Sequence, residues 1–82
     1  MVTVDLYTKP GCHLCEIMKQ SLQRLQRHHS FELREIHIRE GDRYFEKFKD
    51  RIPVLYINNE FSFQYHLPED QFIARLRILS ND

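Results

Sequence analysis

Cys12 and Cys15 stand two residues apart in the stretch TKPGCHLCEIM, residues 8–18, and they are the two cysteines of the chain. A Cys-x-x-Cys pair supports three kinds of chemistry. It can clip a metal ion, form a structural disulfide, or act as a reagent that cycles between dithiol and disulfide. A zinc clip needs four ligands. The other soft donors are His13, His28, His29, His37 and His66, and none makes a second pair at finger-like spacing. No metal site is expected. A structural disulfide belongs to scaffolds with four or six cysteines, and two do not staple a domain in that way.

Composition narrows the setting. A chain of 82 residues is expected to be one domain, spanning 1–82, with a thin core. Twelve basic residues balance twelve acidic ones. That balance argues against nucleic acid and against an anionic membrane surface, since both take a basic excess. No apolar run approaches the length of a membrane span. The start, MVTVDLYT, lacks the charged, apolar and small-residue zones of a signal peptide. A cytoplasmic location is the resulting expectation, and there thiols are kept reduced.

The elements that position the cysteines can be read in order. Val2 to Thr8 is rich in β-branched and aromatic residues and reads as a strand, ended by Pro10-Gly11. Apolar residues at Leu14, Ile17, Met18, Leu22 and Leu25 have helical spacing, which predicts a helix from about Cys12 to about Arg27. Within it, Met18 and the Leu14, Leu22 and Leu25 stripe read as core. Phe31 to Ile38 reads as a second strand, completing a βαβ unit with parallel strands. Tyr44, Phe45 and Phe48 suggest a short helix to about Asp50. The alternating charges from Arg39 to Arg51 read as its solvated face. Ile52 to Ile57 is a third strand entered through Pro53, and Asn58-Asn59 a tight turn into a fourth, Phe61 to Tyr65. Pro68-Glu69-Asp70 opens a last helix with an apolar face of Phe72, Ile73, Leu76 and Leu79. The order is β-α-β-α-β-β-α.

This order places Cys12 at the N-terminus of the first helix, just past the first strand. Unpaired backbone N–H groups and the positive end of the helix dipole favour a thiolate there. Helix N-termini and Cys-x-x-Cys motifs lower a cysteine pKa from about 8.5 to roughly 3.5–7.5. Cys15 lies within one turn and faces the helix body. Cys12 is then the exposed nucleophile, and Cys15 the buried thiol that resolves the mixed disulfide.

KPGCHLC after strand one and RIPVL at strand three, in this order of elements, resemble the thioredoxin superfamily. The chain is most similar to its compact glutaredoxin branch, and within that to short bacterial glutaredoxin-like proteins with a CHLC-type site. The resemblance implies an α/β, thioredoxin-like fold with a four-stranded mixed sheet flanked by helices. It implies that Cys12 is the nucleophile, that Cys15 resolves, and that Pro53 is a cis proline beside the dithiol. It further implies that the Ile52 backbone pairs with extended substrate and that Lys9 lies near the thiolate and glutathione. Three features depart from the family pattern. Leu14 replaces an aromatic residue, and Arg51-Ile52 replaces threonine-valine. Phe63-Gln64-Tyr65-His66 stands where a glycine pair and an acid bind the γ-glutamyl end of glutathione. A weak or absent glutathione site is expected.

Other residues carry weaker signals. His13 as imidazolium would favour the neighbouring thiolate, and with Lys9 and Ile52 it completes the expected substrate-binding set. Arg51 and His66 read as solvated charges. Asp5 reads as a strand-end or edge carboxylate. The function expected is thiol–disulfide exchange on protein or small-molecule disulfides by a monomer with no bound cofactor, glutathione being one possible reductant. The alternative is a non-catalytic redox sensor or metal-handling module on the same fold.

Overall fold

Strand β1 (Thr3–Thr8) forms where β-branched and aromatic residues alternate with others, and it runs through the middle of the sheet. The computed structural model describes residues 1–80. Helix α1 (His13–Leu25) crosses back to β2 (Glu32–His37), which pairs parallel to β1 from Thr3↔Glu32 to Thr8↔His37. The one-turn helix α2 (Phe45–Phe48) leads to β3 (Val54–Ile57), antiparallel to β1. A tight turn at Asn58 and Asn59, with φ of 50° and 66°, returns the chain as β4 (Glu60–Gln64). Both asparagines tolerate this left-handed backbone, which matches the twist of a two-residue hairpin. Helix α3 (Glu69–Ser80) follows β4. The sheet order is β2-β1-β3-β4, a mixed four-stranded sheet. The predicted fold class and element order are both observed.

Two apolar clusters hold the fold. The larger joins Val2 and the sheet residues Val4, Leu6, Leu55 and Ile57 to Met18, Leu22 and Leu25 of α1 and to Phe72 and Leu76 of α3. The smaller contains Tyr7, Cys15, Ile38, Phe48, Ile52 and Val54, with Cys12 packed against it. Tyr7 is its hub, with ring centroids 4.8 Å from Phe48, 5.3 Å from Tyr44 and 5.6 Å from Tyr56. No helix among the described residues is long and apolar enough to cross a membrane.

Four readings need correction. Leu14 is not core: it is 37% exposed, and Ile17 is 47% exposed. The buried sector of α1 is Cys15, Met18, Leu22 and Leu25. Successive helical residues are turned by about 100°, so a stripe that starts on Cys15 leaves Leu14 and Ile17 to one side. Asp5 is not an edge carboxylate. It sits on an inner strand, is 6% exposed, and accepts from Arg34 Nε at 2.7 Å and Nη2 at 3.2 Å. A lone carboxylate can be buried where a guanidinium forks onto both its oxygens. The Arg39 to Arg51 segment is mostly turns rather than a helix face. Several of its cations lie over aromatic rings instead, Arg43 over Tyr44 at 4.8 Å and Lys47 over Phe48 at 5.2 Å. On α3, Leu79 is 37% exposed, and Phe72 and Leu76 supply the buried face.

Leu6 is fully buried on β1 opposite Leu55. Leu6→Ala should cost about 2–5 kcal/mol, a large share of the stability of a domain this small. The expected readout is a thermal midpoint lower by roughly 10 °C or more, at about 4–8 °C per kcal/mol for this size.

Candidate active site

The turn Lys9-Pro10-Gly11 carries the chain from the buried end of β1 to the start of α1, and Gly11 takes φ of 74° there. Cys12 follows as the N-cap of α1 with extended backbone, φ −93° and ψ 107°. Its Sγ accepts from the Cys15 N–H at 3.1 Å, the bond a serine or aspartate oxygen makes at an ordinary N-cap. Cys12 is therefore half-buried at the positive end of a 13-residue helix. Cys15 is 3% exposed and faces the smaller apolar cluster. The two are joined as a disulfide, with Cα atoms 5.2 Å apart. One cysteine faces solvent at the helix end, and the other reaches it from beneath.

Pro53 is preceded by a cis peptide bond, as the resemblance implied. Its neighbours Ile52 and Val54 share the cluster that contains Cys15 and packs against Cys12. The end of β4 is bound to this loop at three points. Tyr65 N–H donates to Pro53 O at 2.9 Å, its phenol donates to Asp50 O at 2.9 Å, and Arg51 Nε donates to Gln64 Oε1 at 3.0 Å. The dithiol thus faces a braced loop. Of the six expected site residues, Cys12, Cys15, Ile52 and Pro53 gather here. Lys9 and His13 are exposed, one on the turn before Cys12 and one at the first position of α1, outside the apolar cluster. Arg51 is half-buried and engaged with Gln64 rather than free in solvent.

The surrounding charges brace α1 against the sheet. Lys19 Nζ lies 3.2 Å from Glu35 Oε1 on β2, and His37 Nε2 lies 3.4 Å from the same oxygen. Burial works against the Glu35 charge, but the hydrogen bonds from Lys19 and His37 outweigh it and hold the carboxyl below its ordinary value. The Tyr7 phenol is pushed above its ordinary value, first by burial and then by the neighbouring Tyr44 and Asp5, so it stays neutral in the cluster that holds Cys15.

Sequence reasoning missed Tyr65. It stands at φ 66°, a conformation that bulky L-residues rarely adopt. Its signal was its place in Phe63-Gln64-Tyr65-His66, the segment that the resemblance sets against a glycine pair and an acid.

A family model described as Glutaredoxin-like domain (DUF836) matches residues 3–77. A protein described as Glutaredoxin-like protein YDR286C homolog, from Dictyostelium discoideum, is 29% identical over 84 residues, covering 95% of this chain and 78% of that one. The solution NMR structure of protein Ne2328 from Nitrosomonas europaea is 36% identical, with a TM-score of 0.78, covering 90% of this chain and 89% of that one.

In the reduced protein, iodoacetamide should label Cys12 well before Cys15, because Cys15 is buried. The rate should rise through a midpoint below about 8.5, since the thiolate is the reacting form and a helix N-terminus favours it. Peptide mass mapping across pH reads both. Faster labelling of Cys15 would reverse the roles.

Proposed function

The chain belongs to the Glutaredoxin-like domain family, and on that premise we propose that it is a thiol–disulfide oxidoreductase. One observation carries the reading. Cys12 caps α1 as the accessible sulfur, while Cys15, buried and within bonding reach, is aimed at it from the protein side. A structural disulfide gains nothing from this asymmetry, but a two-step exchange requires it. In the first step the Cys12 thiolate attacks one sulfur of a substrate disulfide and expels the other as a thiolate. In the second, Cys15 attacks Cys12 Sγ, closes the Cys12–Cys15 disulfide and releases the second substrate thiolate. The substrate disulfide gains two electrons and the protein dithiol loses them.

In this reading each expected site residue has a task. The Cys15 N–H and the helix dipole stabilise the Cys12 thiolate. Lys9 adds positive charge beside the approach, and the exposed imidazole of His13 follows Cys12 directly. Pro53 shapes the groove, and the Ile52 backbone offers its polar groups to an extended substrate. No bound cofactor is needed. The protein works as a monomer in the cytoplasm on protein or small-molecule disulfides, and is reduced again by glutathione or by a protein reductant. A redox sensor or metal-handling module is the other reading of the same dithiol, and the asymmetric burial of the two sulfurs favours exchange over paired ligation.

Glutathione is a poor ligand in this reading. Phe63-Gln64-Tyr65-His66 stands where the resemblance has the glycine pair and its acid, and Leu14 offers no hydroxyl. Each missing charge-assisted hydrogen bond is worth about 1.5–3 kcal/mol, so two of them lower affinity by roughly two to four orders of magnitude. Cys15→Ser should trap substrates as mixed disulfides on Cys12, and Cys12→Ser should trap none. Glutathione titrated into the oxidised protein should give no saturable amide shifts below millimolar concentration. Tight binding focused on Lys9, Ile52 and residues 63–66 would restore an ordinary glutathione-dependent enzyme. Absence of any trapped disulfide on Cys12 would remove the exchange reading altogether.

A further inference from the structure

Five described residues have positive φ: Gly11, Gly41, Asn58, Asn59 and Tyr65. Glycine and asparagine accept that backbone readily, and tyrosine does not. Tyr65 is held in it from both ends, by its N–H to Pro53 O and its phenol to Asp50 O. A glycine would fill the position without strain. Backbone strain kept where a simpler residue would relieve it points to a task for the side chain.

The task is visible in what the ring borders. Tyr65 walls a cleft of about 320 Å³ between the first turns of α1 and the connection from β4 to α3. Leu14, Ile17, Met18 and Leu67 supply its other apolar walls, with His66 and Glu69 in its polar lining. Leu14, Ile17 and Tyr65 are 37%, 47% and 38% exposed, large apolar side chains left open together. Neither cysteine lines the cleft, but two of its walls are tied to the site: Leu14 directly precedes Cys15 in the chain, and the Tyr65 N–H donates to Pro53 O. The formally charged side chain lining it is Glu69, which is paired with Arg24 at 2.6 Å. No lysine or arginine among the described residues lines the cleft. A ligand with two carboxylates, such as glutathione, meets a carboxylate there and no strong cation.

We infer that this cleft is a substrate subsite for an aliphatic or aromatic side chain of an extended polypeptide, close in sequence to the disulfide-bonded cysteine that Cys12 attacks, and that Tyr65 is its specificity-determining wall. The inference rests on the thiol–disulfide exchange reading and adds the substrate class: protein disulfides flanked by apolar residues. The electron balance is that of the two-step exchange. The peptide disulfide is reduced to two thiols, the Cys12–Cys15 dithiol is oxidised, and the two cysteine protons pass through solvent to the released thiolates.

The test mixes reduced full-length protein with short peptides, each bearing one cysteine as a mixed disulfide with thionitrobenzoate. Leucine is placed in turn at each of the two positions on either side of the cysteine, against a serine background. Release of the coloured thiol gives second-order rate constants. One leucine position should accelerate the reaction by about tenfold, the low end of what an apolar pocket discriminates. In Tyr65→Gly and in Leu14→Ser that preference should fall below about twofold. Tyr65→Gly gives up the phenol's hydrogen bond to Asp50 O but relieves the positive φ, and a cooperative thermal transition near that of the wild type checks that it folds. Equal rates for all peptides overturn the subsite and leave the exchange reading standing. A preference retained in both variants overturns the role of this cleft. No reaction with any peptide or with hydroxyethyl disulfide is the separate failure of the exchange reading, and the subsite falls with it.

Discussion

The Cys15 N–H donates to Cys12 Sγ across 3.1 Å at the first turn of α1, and the site is organised around that bond. It fixes Cys12 as the residue that ends the turn after β1 and begins the helix. Helical periodicity then decides the rest. Three residues on, Cys15 points into the same sector as Met18, Leu22 and Leu25 and is buried with them. The two sulfurs stay within bonding reach while one meets solvent and the other the core. Sliding the helix by one residue would bury Leu14 and expose Cys15. The register of α1 against the sheet is therefore the register of the chemistry. The Lys19–Glu35 bridge and the apolar cluster beneath α1 both serve to hold it.

Much of this was legible because local and global signals agree. A β-branched run, a Pro-Gly break, a helical apolar pattern and a cysteine pair at the junction specify β1, the turn, α1 and the dithiol from neighbouring residues alone. Asn58-Asn59 marked its hairpin for the same reason. The misread positions are those where a distant partner decides. Asp5 is tolerable on an inner strand because Arg34, 29 residues away, forks onto both carboxylate oxygens. Leu14 looked like core because the apolar count ignored Cys15, which takes the buried place. The Arg39 to Arg51 charges follow no helix face because their aromatic neighbours, Tyr44, Phe48 and Phe61, gather them over rings. Strand β3 begins at Val54 rather than Ile52 because Pro53 has no backbone N–H to give to a ladder.

Tyr65 shows the opposite case, in which local preference is overruled on the site side of the molecule. A domain this short has little stability to spare, and a strained tyrosine with exposed Leu14 and Ile17 beside it lowers that reserve. The three side chains lie together against the loop of Pro53 and the helix turn that bears the dithiol. The strain is found where contact with another molecule would reward it. Elsewhere the exposed loops use glycine or asparagine for the same backbone.

The most direct test of the central claim is the redox equilibrium of the dithiol. The purified protein is equilibrated in dithiothreitol buffers of graded potential, quenched by acid and alkylated, and its mass is read. Exchange chemistry predicts a reversible two-electron transition between a doubly alkylated form and an unmodified disulfide form. The ratio of the two should change tenfold for each step of about 30 mV, independent of protein concentration. A chain that stays doubly alkylated throughout would contradict the account, and so would a midpoint that moves with protein concentration, the mark of disulfides between molecules.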